Sequence, residues 1–66
     1  MITLSSVDAY IKEFDCITTD ITDNNHLPDS NGMLCGVKVE NGDILYNMDN
    51  GDTYKWDGEN KKWLSQ

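Results

Sequence analysis

The second half of the chain is cut by four turn-forming pairs, Asn31-Gly32, Asn41-Gly42, Asn50-Gly51 and Asp57-Gly58. Asn, Asp and Gly reach the positive φ that tight hairpin turns demand at little cost, so such pairs between apolar runs mark reversals of an antiparallel sheet. The runs between them have the matching period. Met33, Cys35, Val37 and Val39 alternate with Leu34, Gly36, Lys38 and Glu40; Ile44, Tyr46 and Met48 alternate with Leu45 and Asn47; Tyr54 and Trp56 flank Lys55. Alternation gives each run one apolar side.

Register follows from requiring those sides to meet. A two-residue Asn41-Gly42 turn sets Val39 opposite Ile44, Val37 opposite Tyr46 and Cys35 opposite Met48. A three-residue Asp49-Asn50-Gly51 loop, with Gly51 left-handed, sets Tyr46 opposite Tyr54 and Ile44 opposite Trp56. A four-residue loop over 58–61 then pairs Trp56 with Trp63 and Asp57 with Lys62. The expected result is an antiparallel β-meander over residues 33–66, one face of which carries Val37, Ile44, Tyr46, Tyr54, Trp56 and Trp63. A short echo, residues 41–49 against 50–57, reflects the same turn chemistry used twice; two copies are too few for a solenoid.

The first 32 residues read differently. Val7, Tyr10, Ile11 and Phe14 fall at i, i+3, i+4 and i+7, with Asp8, Lys12 and Glu13 on the other side, which predicts a short amphipathic helix over about residues 6–14. Ser5 followed by Asp8 is a weak form of the capping box. A helix this short is not stable alone in water, so its apolar stripe must dock. Ile17, Thr18, Thr19, Ile21 and Thr22 are β-branched and predict a short strand. Residues 23–32, dense in turn formers and holding the only proline, predict a loop. The fold class expected is therefore α+β: one short N-terminal helix and a four- to five-stranded antiparallel meander, in a single domain spanning 1–66.

Length and charge narrow the function. With 66 residues the core is marginal without a staple or partner. Five lysines, no arginine and twelve acidic residues give a net charge of −7, which argues against direct binding to nucleic acid or an anionic membrane. No apolar run approaches the roughly 18 residues needed to cross a bilayer. The start, Met1-Ile2-Thr3-Leu4-Ser5-Ser6, has neither the basic nor the apolar region of a secretory signal. Two buried free thiols, Cys16 and Cys35, are therefore expected rather than a disulfide.

Catalysis is not expected. His26 is the only histidine, and nothing in the spacing sets it beside Cys16, Cys35 or a serine. A chain this short is also expected to lack a ligand pocket of about 300 Å³ or more. No cofactor is implied. Asp43, Asp49, Asp52 and Asp57 would suit a hard cation, yet no window matches a calcium loop, and two cysteines with one histidine make no zinc site. These carboxylates are read instead as solvated turn residues that discourage edge-to-edge sheet pairing.

Residues 42–64 resemble a recurrent module of tailed bacteriophages that ends in a Gly-x-x-Tyr-x-Trp-Asp strand, a polar turn and a closing Trp-Leu. Gly51, Tyr54, Trp56, Asp57, Trp63 and Leu64 carry that pattern, and Leu27-Pro28 resembles the Leu-Pro that precedes the first strand. The resemblance implies a small virion-associated structural protein, made in the host cytoplasm. It would decorate or attach to capsid or tail, binding other virion proteins and forming homo-oligomers, with a trimer among the options. The chain has neither the shaft nor the tip of a fibre protein, so host recognition is not implied. Val37, Ile44, Tyr46, Tyr54, Trp56 and Trp63 are expected to form the core or the interface. The alternative is an acidic inhibitor whose carboxylates mimic phosphates and occupy the basic channel of a host defence or nucleic-acid-binding protein.

Overall fold

The computed structural model describes residues 2–7 and 11–66. Its elements run β1 (Thr3–Val7), β2 (Lys12–Cys16), α1 (Thr18–Thr22), β3 (Met33–Leu34), β4 (Val37–Lys38), β5 (Ile44–Asn47), β6 (Thr53–Asp57) and β7 (Lys62–Ser65). Five strands form one mixed sheet in the order β1-β2-β5-β6-β7, and β3-β4 is a separate small hairpin. Every neighbouring pair in the large sheet is antiparallel except β2-β5, which is parallel.

This corrects the expected fold class. The predicted helix is not formed: Val7 lies in β1, Phe14 in β2, and Ile11 just before β2, while Tyr10, Asp8 and Ala9 lie outside the described residues. The competing period was two. Phe14 and Cys16 are buried, and Leu4 pairs with Phe14 across β1-β2, so alternation decides where a helix of nine or so residues had no stability of its own. The predicted strand at 17–22 is instead the single-turn helix α1. The Ile17 N–H donates to Asp20 Oδ2 at 3.1 Å and the Thr18 N–H to Asp49 Oδ2 at 2.8 Å. Two carboxylates thus satisfy amide groups at the start of a turn whose β-branched residues favour extension.

A parallel pair requires a long crossover. Here it is residues 17–43, which carry α1, the 23–32 loop and the β3-β4 hairpin over one face of the sheet. Ile21, Leu34, Val37 and Val39 from this crossover pack with Phe14, Cys16, Leu45 and Trp56 from the sheet to make the core. The β3-β4 turn is Cys35-Gly36, with φ of 54° and 80°, the two left-handed residues of a tight hairpin. Asn41-Gly42 does make a turn, yet it starts no hairpin. Gly42 N–H bonds Trp56 O at 3.0 Å and Asp43 N–H bonds Glu40 O at 3.0 Å, which steers the chain from the crossover into β5. Val37 and Val39 therefore never face Tyr46 and Ile44.

The β5-β6 register also differs by one residue. Tyr46 faces Thr53 and Ile44 faces Lys55, because the loop includes Met48: Gly51 N–H bonds Asn47 O at 2.8 Å, and Asn47 N–H bonds Asp52 O at 2.8 Å. A shift of one residue exchanges the two faces of a strand. The last hairpin has the expected register, Trp56 opposite Trp63 and Asp57 opposite Lys62.

Candidate functional site

The register shift decides what β5 shows to the outside. Asp43 and the β5 residues Leu45 and Asn47 point inward and are buried, whereas Ile44 is half-buried on the outer face, Tyr46 is 38% exposed beside it, and Met48 is 52% exposed just beyond the strand. Leu45 is thus the one β5 residue in the hydrophobic core, between two buried polar side chains, while Ile44, Tyr46 and Met48 turn outward. That arrangement is stable because each inward polar group is satisfied. Asp43 Oδ1 accepts the Lys12 N–H at 2.9 Å, and Oδ2 accepts the Glu40 N–H at 2.8 Å and lies 3.0 Å from Lys12 Nζ. Asn47 Nδ2 donates to Thr18 Oγ1 at 3.2 Å, and its Oδ1 accepts the Asp49 N–H at 2.9 Å.

Burial opposes the charge on Lys12, but the hydrogen bond and charge of Asp43, with Glu40 at 3.6 Å, outweigh it and leave the lysine pKa raised. Two segments, β2 and the 40–43 turn before β5, thus meet on one buried carboxylate.

The six expected interface residues separate onto two faces. Tyr54, Trp56 and Trp63 lie on the inner face and Val37 on the crossover hairpin, and all four pack into the core. Trp63 meets Trp56 edge-on at 5.1 Å and Phe14 at 6.2 Å, and its Nε1–H donates to the His26 carbonyl at 2.8 Å. These aromatics are core, and the Trp63 bond fastens the crossover loop to β7.

Ile44 and Tyr46 belong to the other face. Across it, Ile44 has Glu13 on one side and Lys55 on the other, with Leu64, 41% exposed, next to Lys55; Tyr46 lies between Asp15 and Thr53. In the sequence, Leu64 stands out only as part of the closing Trp-Leu. Its exposure follows from the register and was not readable from hydropathy. The crossover residues of the core, Ile21 from α1 and Leu34, Val37 and Val39 from the hairpin and the residue following it, pack on the opposite face.

The turn carboxylates are not merely solvated. Besides Asp20, Asp43 and Asp49, Asp29 Oδ1 accepts the Asn31 and Met33 N–H groups at 2.8 and 3.0 Å, and Asp57 Oδ1 accepts those of Glu59 and Asn60 at 3.0 and 3.3 Å. These aspartates serve as caps for loop amides. Among the described residues no group of three or more His, Cys, Asp and Glu side chains is gathered to hold a metal.

Cys16 is buried and its thiol is pushed up to about 11, chiefly by burial, with Asp20, Asp15 and Asp49 adding to the shift. Cys35 corrects the expectation of two buried thiols. It is free but exposed, at the tip of the β3-β4 turn, with Sγ donating to the Ile2 carbonyl at 3.3 Å. The expectation that so short a chain has no ligand-sized volume is also corrected: an open groove of about 620 Å³ runs between the 27–32 loop, the end of β4 and the β6-β7 turn.

No helix among the described residues is long and apolar enough to cross a membrane. No protein-family model, curated protein or solved structure matches the chain.

Proposed function

We propose that the chain is a non-catalytic docking module that seats the outer face of its sheet on another protein, and that the partner is a component of a phage particle. The observation that carries the docking reading is the apolar outer side of β5, where Ile44 is half-buried and Tyr46 and Met48 are exposed, while Asp43 and Asn47 flank Leu45 on the inner side. Burying Asp43 and Asn47 requires specific hydrogen bonds, and leaving Tyr46 and Met48 in water forgoes burial worth about 1.5–3 kcal/mol for a large side chain. A partner that covers the outer face recovers that burial. Tyr46 is the kind of side chain that dominates such contacts, and the flanking Glu13, Asp15 and Lys55 form a polar rim. The choice of a virion partner rests on the resemblance of residues 42–64 to phage modules.

The acidic-mimic reading is weaker on the same geometry. Asp20, Asp29, Asp43, Asp49 and Asp57 accept main-chain N–H groups of the chain itself. Those carboxylates are engaged by the chain's own amides, some across long sequence separations, rather than ranked at phosphate spacing.

The test is mass spectrometry of purified particles from cells making the wild-type chain or a Tyr46→Glu/Leu64→Glu variant. Many copies of the wild type per particle and loss of the variant, with its folded spectrum retained, are the expected result. Absence of the wild-type chain from particles overturns the virion reading, and equal incorporation of the variant overturns the choice of face.

A further inference from the structure

The groove is built of different residues from the outer face. Leu27 and Pro28 form one side, Val39 and Trp56 contribute apolar surface, and Lys38 and Lys61 line it as well. Its volume lies within the range of about 300–1,000 Å³ common for small-ligand sites.

Its walls are fixed by bonds within the chain rather than left to a ligand to order. The Trp63 indole holds His26 O at 2.8 Å at the head of the 27–32 wall, and within that wall Gly32 N–H bonds Asp29 O and Val39 N–H bonds Gly32 O, each at 2.9 Å. On the other side Gly58 N–H donates to Asn41 Oδ1 at 3.0 Å, so the β6-β7 turn is tied to the turn before β5. A Cβ at Gly58 would sit 3.3 Å from the Asn41 Cβ, a tight contact that Asn41 would have to relieve by a few tenths of an ångström.

The charge is as informative as the shape. Of the five lysines on a chain of net charge −7, Lys12 is held by Asp43 and Glu40, Lys62 faces Asp57 across β6-β7, and Lys55 is on the outer face. The remaining two, Lys38 and Lys61, both line the groove, and among the described residues neither has an ion-pair partner. Asp29 lines it too, but its Oδ1 is engaged by two loop amides. Of the four lysines outside an ion pair among the described residues, two are thus placed beside apolar surface.

We propose that this groove binds a carboxylate borne on an apolar group, the carboxylate between Lys38 and Lys61 and the apolar group against Trp56, Val39, Leu27 and Pro28. Two sources present that chemistry, a peptide C-terminus with an apolar last residue and a free aryl or alkyl carboxylate. Ammonium–carboxylate pairing supplies orientation, and Leu27 and Pro28 supply most of the apolar contact, with buried Trp56 and Val39 showing only an edge. Monovalent ligands of this type avoid the long-range repulsion that an extended acidic partner would meet, since charges beyond about 8 Å are screened at physiological salt.

The experiment is a ¹⁵N NMR titration of the intact chain with an acetylated tripeptide ending in leucine with a free carboxylate, with the same peptide amidated, and with 4-phenylbutyrate. Saturable shifts are expected at the amides of Lys38, Val39, Gly58 and Lys61 and at the Trp56 indole N–H. Binding should weaken roughly tenfold, about 1.4 kcal/mol, on amidation and again in a Lys38→Gln/Lys61→Gln variant whose spectrum stays dispersed. Binding of the peptide acid alone assigns the site to peptide termini, and binding of phenylbutyrate as well assigns it to apolar carboxylates generally. The proposal is overturned by the absence of saturable shifts at millimolar ligand, by equal binding of acid and amide, or by shifts that map to Ile44 and Tyr46 instead.

Discussion

The β6-β7 hairpin and the β2-β5 pair are both two-strand ladders in one sheet, yet they are specified by different means. The hairpin joins neighbours in sequence through a four-residue turn. Asp57 supplies that turn with its own acceptors, Oδ1 to two loop amides and Oδ2 to Asn60 Nδ2 at 2.7 Å. The parallel pair joins strands separated by the whole crossover. Its alignment, Phe14 beside Leu45 and Cys16 beside Asn47, is flanked at one end by the Lys12–Asp43 bonds and at the other by Met48 N–H to Cys16 O at 2.8 Å. A hairpin with a strong turn carries its register locally. A parallel pair depends on contacts that form only when distant segments arrive, which also makes it slow to form.

The largest expected effect therefore lies at the long-range pair. Asp43→Ala removes a fully buried carboxylate and leaves Lys12 Nζ and two main-chain N–H groups without it. Loss of one partner of a buried ion pair costs about 3–5 kcal/mol, a large share of the stability of a domain this size. Urea unfolding should show that loss, and hydrogen exchange should show it first in β2 and β5. A loss below about 1 kcal/mol would mean that apolar packing, and not the buried carboxylate, sets the parallel register.

That asymmetry also explains which parts of the fold could be read from the sequence. Trp56 opposite Trp63 followed from turn length and side-chain type, both local. The helix expected over residues 6–14 failed because Val7, Ile11 and Phe14 satisfy a helical period while Phe14 and Cys16 satisfy a strand period, and only a distant partner, β5, decides between them. The β5 face failed for a sharper reason. Matching apolar residues to apolar residues sends Ile44, Tyr46 and Met48 inward, and nothing in hydropathy indicates that Asp43 and Asn47 have bonding partners at Lys12, Glu40 and Thr18. Of the expected interface residues, Tyr46 and Ile44 lie on a face they do not share with Trp56. The groove was invisible because it needs the crossover to bring Leu27 and Lys38 beside Lys61.

The two ladders also separate by pH. Lys12 has a raised folded pKa, so its contribution is complete below the unfolded lysine value of about 10.4 and fades as the pH rises through the folded one. Asp57 behaves oppositely. The Asn60 side-chain bond, then the Asn60 and Glu59 amides and the Lys62 charge, hold its carboxyl below the ordinary aspartate range despite some desolvation. Its contribution is complete above about pH 4, the unfolded aspartate value, and is lost as the pH falls through the depressed one. Alkaline titration should loosen β2 and β5 first, and acid titration the 58–61 turn, in residue-resolved exchange. Asp57→Ala should abolish the acid response of the turn alone. Loss of the acid response throughout the sheet would show that the hairpin is not an independent unit.

The smallest effect is the one that ties the local hairpin to the groove. Lys61 closes the β6-β7 turn with a φ of 55°, a left-handed position that costs a residue with a Cβ about 1–2 kcal/mol and that glycine adopts freely. Glycine returns about 0.5–1 kcal/mol of that gain through the greater freedom of its unfolded chain. Lys61→Gly should therefore stabilise the domain by about 0.5 kcal/mol, read as a slightly higher urea midpoint with unchanged slope. The same substitution removes one of the two ammonium groups lining the groove. If it raises stability and weakens binding of the peptide acid, the hairpin bears strain in order to place a charge, which is how backbone strain and function are commonly associated. If it raises stability and leaves binding unchanged, Lys61 is a turn residue only and Lys38 alone meets the carboxylate.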